Sequence, residues 1–150
     1  MIVGSPDLIL RKERMKNQNF LDIILAGVGA VCGFLFGALD GLLIALIALA
    51  LLDYATGVIA AIMNKTLSSK IGFKGICKKL LLFILVAVAN IIDMQILGGA
   101  GTLRTAIIFV FIANEGLSIV ENSAELGVPV PEKLKSVLAQ LKQKGEDNDG

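Results

Sequence analysis

From Ile23 to Leu39 the chain carries no charged residue, and from Gly41 to Leu52 it carries none again, with Asp40 alone between them. An unbroken apolar run of about 18 residues is the signature of a helix that crosses a bilayer. One helix over Ile23–Leu52 would be about 45 Å long, against a hydrocarbon core of about 30 Å. Two helices therefore fit better, broken at Asp40-Gly41, a turn pair. The first predicted span covers residues 21–39 and the second 42–63. Apolar sequence resumes at Leu80 and predicts a third span over 80–97. Gly98-Gly99-Ala100-Gly101 forms a tight loop, and a fourth span follows over 103–120. A cleaved leader has a shorter apolar core and needs no further apolar segments behind it. The expected fold class is all-α, an integral membrane protein with about four transmembrane helices.

The polar segments divide the rest. Residues 1–20 form a basic arm. Residues 64–79 carry five lysines, and Ser68-Ser69 stands where it can cap a short helix, with Ile71, Phe73 and Ile76 touching the membrane surface. Residues 121–150 read as a soluble tail. In that tail Pro129 and Pro131 precede an amphipathic helix over 132–144, with Leu134, Val137, Leu138 and Leu141 on one face. The closing GEDNDG has the composition of disordered chain.

Charge placement gives an orientation. With four spans, Arg11, Lys12, Arg14 and Lys16 share one side with Lys65, Lys70, Lys74, Lys78 and Lys79, and with Lys133, Lys135, Lys142 and Lys144. The other side receives Arg104 alone, so the count is thirteen against one. Basic residues stay on the cytoplasmic side, so both termini are expected there. With three spans the N-terminal cluster and the lysine connection would fall on opposite sides. Lys65, Lys70, Lys74, Lys78 and Lys79 are thus expected to act as topology determinants.

Composition changes this picture little. The chain is 55 % hydrophobic with a mean hydropathy of +0.79, a moderate excess over the roughly 45–50 % of soluble domains. There is no histidine, and the two cysteines, Cys32 in an apolar run and Cys77 in the lysine segment, are expected at different depths. No disulfide and no zinc site follow from that set. The string GGAGT at 98–102 lacks the lysine and second-glycine spacing of a phosphate loop. No nucleophile has a histidine base, and no carboxylate pair has a recognisable catalytic spacing. The expectation is a protein that is not an enzyme, holds no cofactor or metal, and binds no nucleic acid.

Several residues stand out inside the spans. Gly29, Gly33 and Gly37 recur every four residues on one helical face, with Gly41 at its end. Small residues let helices approach closely in lipid. The seam they form serves either contact between subunits or packing within one. Asp53 lies near the middle of the second span, where a charge costs roughly 2.5–3.5 kcal/mol on insertion scales. It either has a functional role or is held for structure alone. Asn114, Ser118 and Asn122 follow at spacings of four, with Glu115 and Glu121 beside them. That stripe is either a water-lined face or an interhelical hydrogen-bond seam, and Asn90 suits either. Asp93 and Arg104 flank the short glycine loop and are expected to pair.

Three segments resemble a known family. DYATGVIAA at Asp53–Ala61, LSSKIGFKGICKK at Leu67–Lys79 and FIANEGLSIVENSAELGVPVPEKLKSVLAQL at Phe111–Leu141 resemble, in this order, parts of the bacteriophage and toxin-secretion holin family. The resemblance covers roughly residues 40–144 and contains no catalytic signature. It implies a protein that oligomerises in the cytoplasmic membrane of the bacterial host and forms unselective lesions, leading to lysis. Its partners would then be its own copies, the lipid bilayer, and an endolysin or toxin as passenger without a dedicated binding site. Some holins use paired starts, and Met15 offers a second one that would remove Arg11, Lys12 and Arg14. Two alternatives remain open. One is a small proton-coupled transporter, since a glycine-rich first helix with an acidic second resembles the ring subunit of rotary ATP synthases. The other is a membrane channel or scaffold subunit.

Overall fold

The computed structural model describes residues 6–146, and all of its regular structure is helical. Five helices follow in order: α1 (Pro6–Phe36), α2 (Gly41–Met63), α3 (Ser69–Gln95), α4 (Thr102–Glu125) and α5 (Glu132–Glu146). The first four contain stretches long and apolar enough to cross a membrane, Met15–Phe36 in α1 and the whole of α2, α3 and α4. Their apolar side chains point outward in large numbers, among them Phe20, Leu51 and Leu81. That is the surface expected where hydrocarbon, rather than water, is the solvent.

The helix ends explain where the elements begin. Asp40 has extended backbone, and its carboxylate accepts the amide of Leu43 at 2.9 Å, capping α2. Ser68 caps α3 in the same way through Ile71. The short helix expected behind Ser68 does not stop. It runs on into the third span, so α3 begins at Ser69 and not at Leu80, with the lysine segment as its first turns. Residues 6–20 of the basic arm are likewise the opening part of α1, and residues 1–5 lie outside the described residues. α4 extends five residues past the expected end at Val120, to Glu125. Part of the closing GEDNDG, residues 147–150, lies outside the described residues.

The core sits between α2, α3 and α4, where Leu43, Leu46, Leu82, Val86, Ile108 and Ile112 meet. α1 makes its main helix contact with α3, and Phe36 meets Phe83 edge-on at 6.4 Å between ring centroids. Within the segment expected as a soluble tail, α5 is packed on the bundle. It folds back along α4, and Leu138 covers Gly116, where a Cβ would stand 2.6 Å from the leucine Cδ2.

Asp93 and Arg104 do not form the expected ion pair through their side chains. Asp93 is fully buried and accepts the backbone amides of Leu103 and Arg104, at 3.1 and 2.6 Å, so it caps α4 from the end of α3. The Arg104 guanidinium turns to the α1–α2 loop. It donates to the carbonyls of Phe36 (2.7 Å) and Ala38 (3.0 Å) and to the Asp40 carboxylate (2.7 Å). Asn90 donates to the carbonyl of Phe34 at 3.1 Å. Gly37 has a φ of +73°, and a Cβ there would lie 2.7 Å from the Asn90 side-chain oxygen. Its glycine is therefore needed for this latch, one residue beyond the end of α1, and it lines one cleft with Gly29 and Gly33.

Among the described residues, Arg104 is thus the one side chain that holds α1, the α1–α2 loop and α4 together. Arg104→Lys keeps the charge but loses the planar fork that serves three acceptors. We expect a loss of roughly 2–3 kcal/mol, since hydrogen bonds to charged groups contribute about 1.5–3 each and the Asp40 partner is partly exposed. The hydrogen bond from Arg104, and then that from the Leu43 amide, hold the Asp40 carboxyl below its ordinary range. A depressed carboxyl contributes stability above its unfolded value, about pH 4, and loses it as the pH falls through the folded value. Thermal unfolding in detergent, followed by circular dichroism, should show a lower midpoint for Arg104→Lys and a drop for the native chain below about pH 4. Identical melting of the two proteins at neutral pH contradicts the latch.

Candidate functional site

Two helical periods bring charges together toward the other end of the bundle. On α3 the buried positions Leu82, Val86, Asn90 and Asp93 recur at three and four residues, and Lys79 continues that register one step back. On α4, Glu115 lies on a buried stretch with Ile112, Ala113 and Gly116. On α2, Asp53 is half-buried and turned inward. Asp53 lies about 18 Å along α2 from Gly41, and Glu115 about 20 Å along α4 from Thr102, at 1.5 Å per residue. The two carboxylates therefore stand at nearly the same level.

Lys79 joins them. Its ammonium is 2.6 Å from Asp53 Oδ2 and also donates to Glu115 Oε2. Asn122 donates to Asp53 Oδ1 at 3.2 Å and lies 3.1 Å from the Thr56 hydroxyl, which itself donates to the Asp53 carbonyl at 3.0 Å. The three charged side chains are between 10 % and 19 % exposed. Charges taken out of water survive only when opposite charges and further hydrogen bonds meet them, and this cluster supplies both. One ammonium between two carboxylates leaves a formal excess of one negative charge when all three are ionised.

The expected polar residues are thus only partly assembled. Asp53, Glu115 and Asn122 share the cluster, and Ser118 lines the cleft beside it. Asn90 is elsewhere, in the latch with Gly37. Asn114 is half-buried and makes no hydrogen bond within the described residues, and Glu121 is exposed. A methyl group placed on Gly29 or Gly33 would meet nothing within 4 Å, so no described helix packs closely on them. Lys79 is the site residue that charge counting missed, because it closes a run of lysines that all look like topology signals. Its register with Leu82 and Val86 was the available clue.

Comparison with known proteins places this architecture. The bacteriophage holin family matches over residues 30–143. A Listeria innocua protein described only as uncharacterised is 45 % identical over 129 residues, 86 % of this chain and 91 % of its own. An uncharacterised Clostridium perfringens protein is 44 % identical over 126 residues, 84 % of this chain and 96 % of its own. A protein of Bacillus phage phi105 described as a probable holin is 40 % identical over 120 residues, 77 % of this chain and 87 % of its own. No solved structure matches. With a family match over three quarters of its length and relatives this similar, the chain belongs to the bacteriophage holin family.

Proposed function

We propose that the chain accumulates in the cytoplasmic membrane of a bacterial host, associates with its own copies, and opens unselective lesions through which a cell-wall lytic enzyme or toxin passes. The observation that carries this reading is the Lys79–Asp53–Glu115 cluster inside an otherwise apolar bundle. Within one subunit each charged group of the cluster has an opposite charge beside it, so a monomer tolerates them in lipid. Association offers the same groups water, which charged side chains favour over a low-dielectric surround. The open glycine face of α1 at Gly29 and Gly33 supports the second half of the reading. Close helix approach needs such a face, and nothing among the described residues occupies it.

Leakage of a large cytoplasmic reporter after induction, at matched membrane levels, tests this. Asp53→Asn leaves Lys79 paired with Glu115, and should insert normally while changing the time or extent of leakage. Asp53→Leu should insert at least as well and leak poorly. Wild-type schedules for both variants would reduce Asp53 to a local structural role. Selective passage of small ions, with the large reporter retained, would favour a transporter or channel instead.

We also propose that both termini face the cytoplasm, on the strength of the thirteen-to-one distribution of basic residues. Cys77 lies at the lysine end of α3 and Cys32 within α1, and both thiols are free. Cys77 should react with a membrane-impermeant reagent only in inverted vesicles, and Cys32 slowly from either side. Rapid labelling of Cys77 in intact cells is the contrary result.

A further inference from the structure

Below the charged cluster, a cleft of about 370 Å³ opens between α2, α3 and α4 at the lysine end of the bundle. Three lysines and one aspartate line it: Lys74, Lys78 and Lys79, with Asp53. Lys79 is already committed to Asp53 and Glu115. Lys74 and Lys78 are exposed and form no ion pair among the described residues. They stand one helical turn apart, where side chains are neighbours about 5–6 Å apart at Cβ. Both can therefore reach one anion at the cleft mouth.

Ser118 and Asn122 line the cleft beside Asp53, and Val58, Leu67 and Ile71 line it toward the lysine end. On its membrane side the cleft shares Tyr54 and Lys79 with a groove between α2 and α3, where Ile47, Leu51 and Leu80 form an apolar wall and Leu51 and Leu80 are more than half exposed. Two glycines on α3 make room for Tyr54. The Tyr54 ring lies where a Cβ on Gly75 would be 3.2 Å from its Cε2, and the Tyr54 hydroxyl is 3.5 Å from the same position on Gly72. Tyr54 thus lies against the glycine face of α3. A cationic mouth over an apolar wall, at the end of a membrane bundle, matches a headgroup phosphate with its acyl chains alongside. Basic pockets between membrane helices on the cytoplasmic side hold anionic headgroups on these terms.

We propose that this cleft binds the headgroup of an anionic phospholipid of the inner leaflet, with Lys74 and Lys78 on the phosphate and Ile47, Leu51 and Leu80 against the chains. The proposal rests on the lysine end facing the cytoplasmic leaflet. Lesion formation plays no part in it. The charge balance of the cleft selects an anion, and the exposed apolar wall selects a lipid over a free phosphate ion.

The test counts lipid retained by the purified full chain in mild detergent, by native mass spectrometry, after incubation with phosphatidylglycerol or with phosphatidylcholine. The native chain should retain phosphatidylglycerol in preference. Lys74→Gln with Lys78→Gln should weaken retention by about tenfold or more, and Lys78→Arg should keep it. Lys65→Gln with Lys70→Gln makes the same charge change outside the cleft and should leave retention as it was. Helical circular dichroism confirms that each variant is folded. Equal retention of the two lipids, equal loss in both double variants, or displacement of the lipid by millimolar inorganic phosphate overturns the proposal. Because the readout is bound lipid, a negative result is distinct from a failure to permeabilise cells.

Discussion

A charge carried into hydrocarbon has to be met by a partner inside the bundle, and this one constraint organises both ends of the molecule. At one end Arg104 is buried and spends its guanidinium on two carbonyls and Asp40. At the other, Lys79 lies between Asp53 and Glu115. The core of leucine, valine and isoleucine between these centres fills space, but lipid is as apolar as leucine, so such packing alone does little to choose one arrangement of helices. Polar contacts select it. Each centre joins residues distant in sequence, so each fixes which helices are neighbours. Neither leaves a buried polar side-chain atom without a partner among the described residues.

The apolar runs announced the four long helices and their turns, because a bilayer imposes length and the glycine and Asp-Gly pairs mark the breaks. The start of α3 was less visible. A lysine-rich stretch reads as a connection by polarity, yet Ser68 and the following residues are compatible with helix, and the Lys79–Leu82–Val86 register belongs to the same face. Pairing across helices was harder to read. Asp93 and Arg104 are near in sequence and opposite in charge, and sequence alone favours joining them. The fold instead gives Asp93 the free amides at the start of α4, which every helix start leaves unsatisfied, and gives Arg104 to Asp40. Gly37 shows the same difficulty. Its spacing continues a helical stripe, but the helix ends at Phe36, and the residue is glycine because of its positive φ and the approach of Asn90.

The packing is uneven in a way that bears on assembly. α2, α3 and α4 form a firm unit, α5 is laid along α4, and α1 is held chiefly at its last turns through Phe34, Phe36 and the latch. None of the apolar stretch of α1 is buried. Gly29 and Gly33 look into an unfilled cleft that they share with Leu43, Ile47 and Phe83 of the same bundle. Under the proposed function, the bundle would hold its charges before assembly and the loosely held α1 would meet other copies.

The most direct test of the claim that Lys79 and Asp53 hold each other's charge within one subunit is a charge exchange. Lys79→Glu, Asp53→Lys and the double exchange would be expressed at equal levels, and folded membrane-inserted protein would be measured. Each single reversal should lower the inserted amount sharply, since like charges then face one another, and the double exchange should restore much of it. Single reversals that accumulate like the native chain, or a double exchange no better than either, would contradict the pairing.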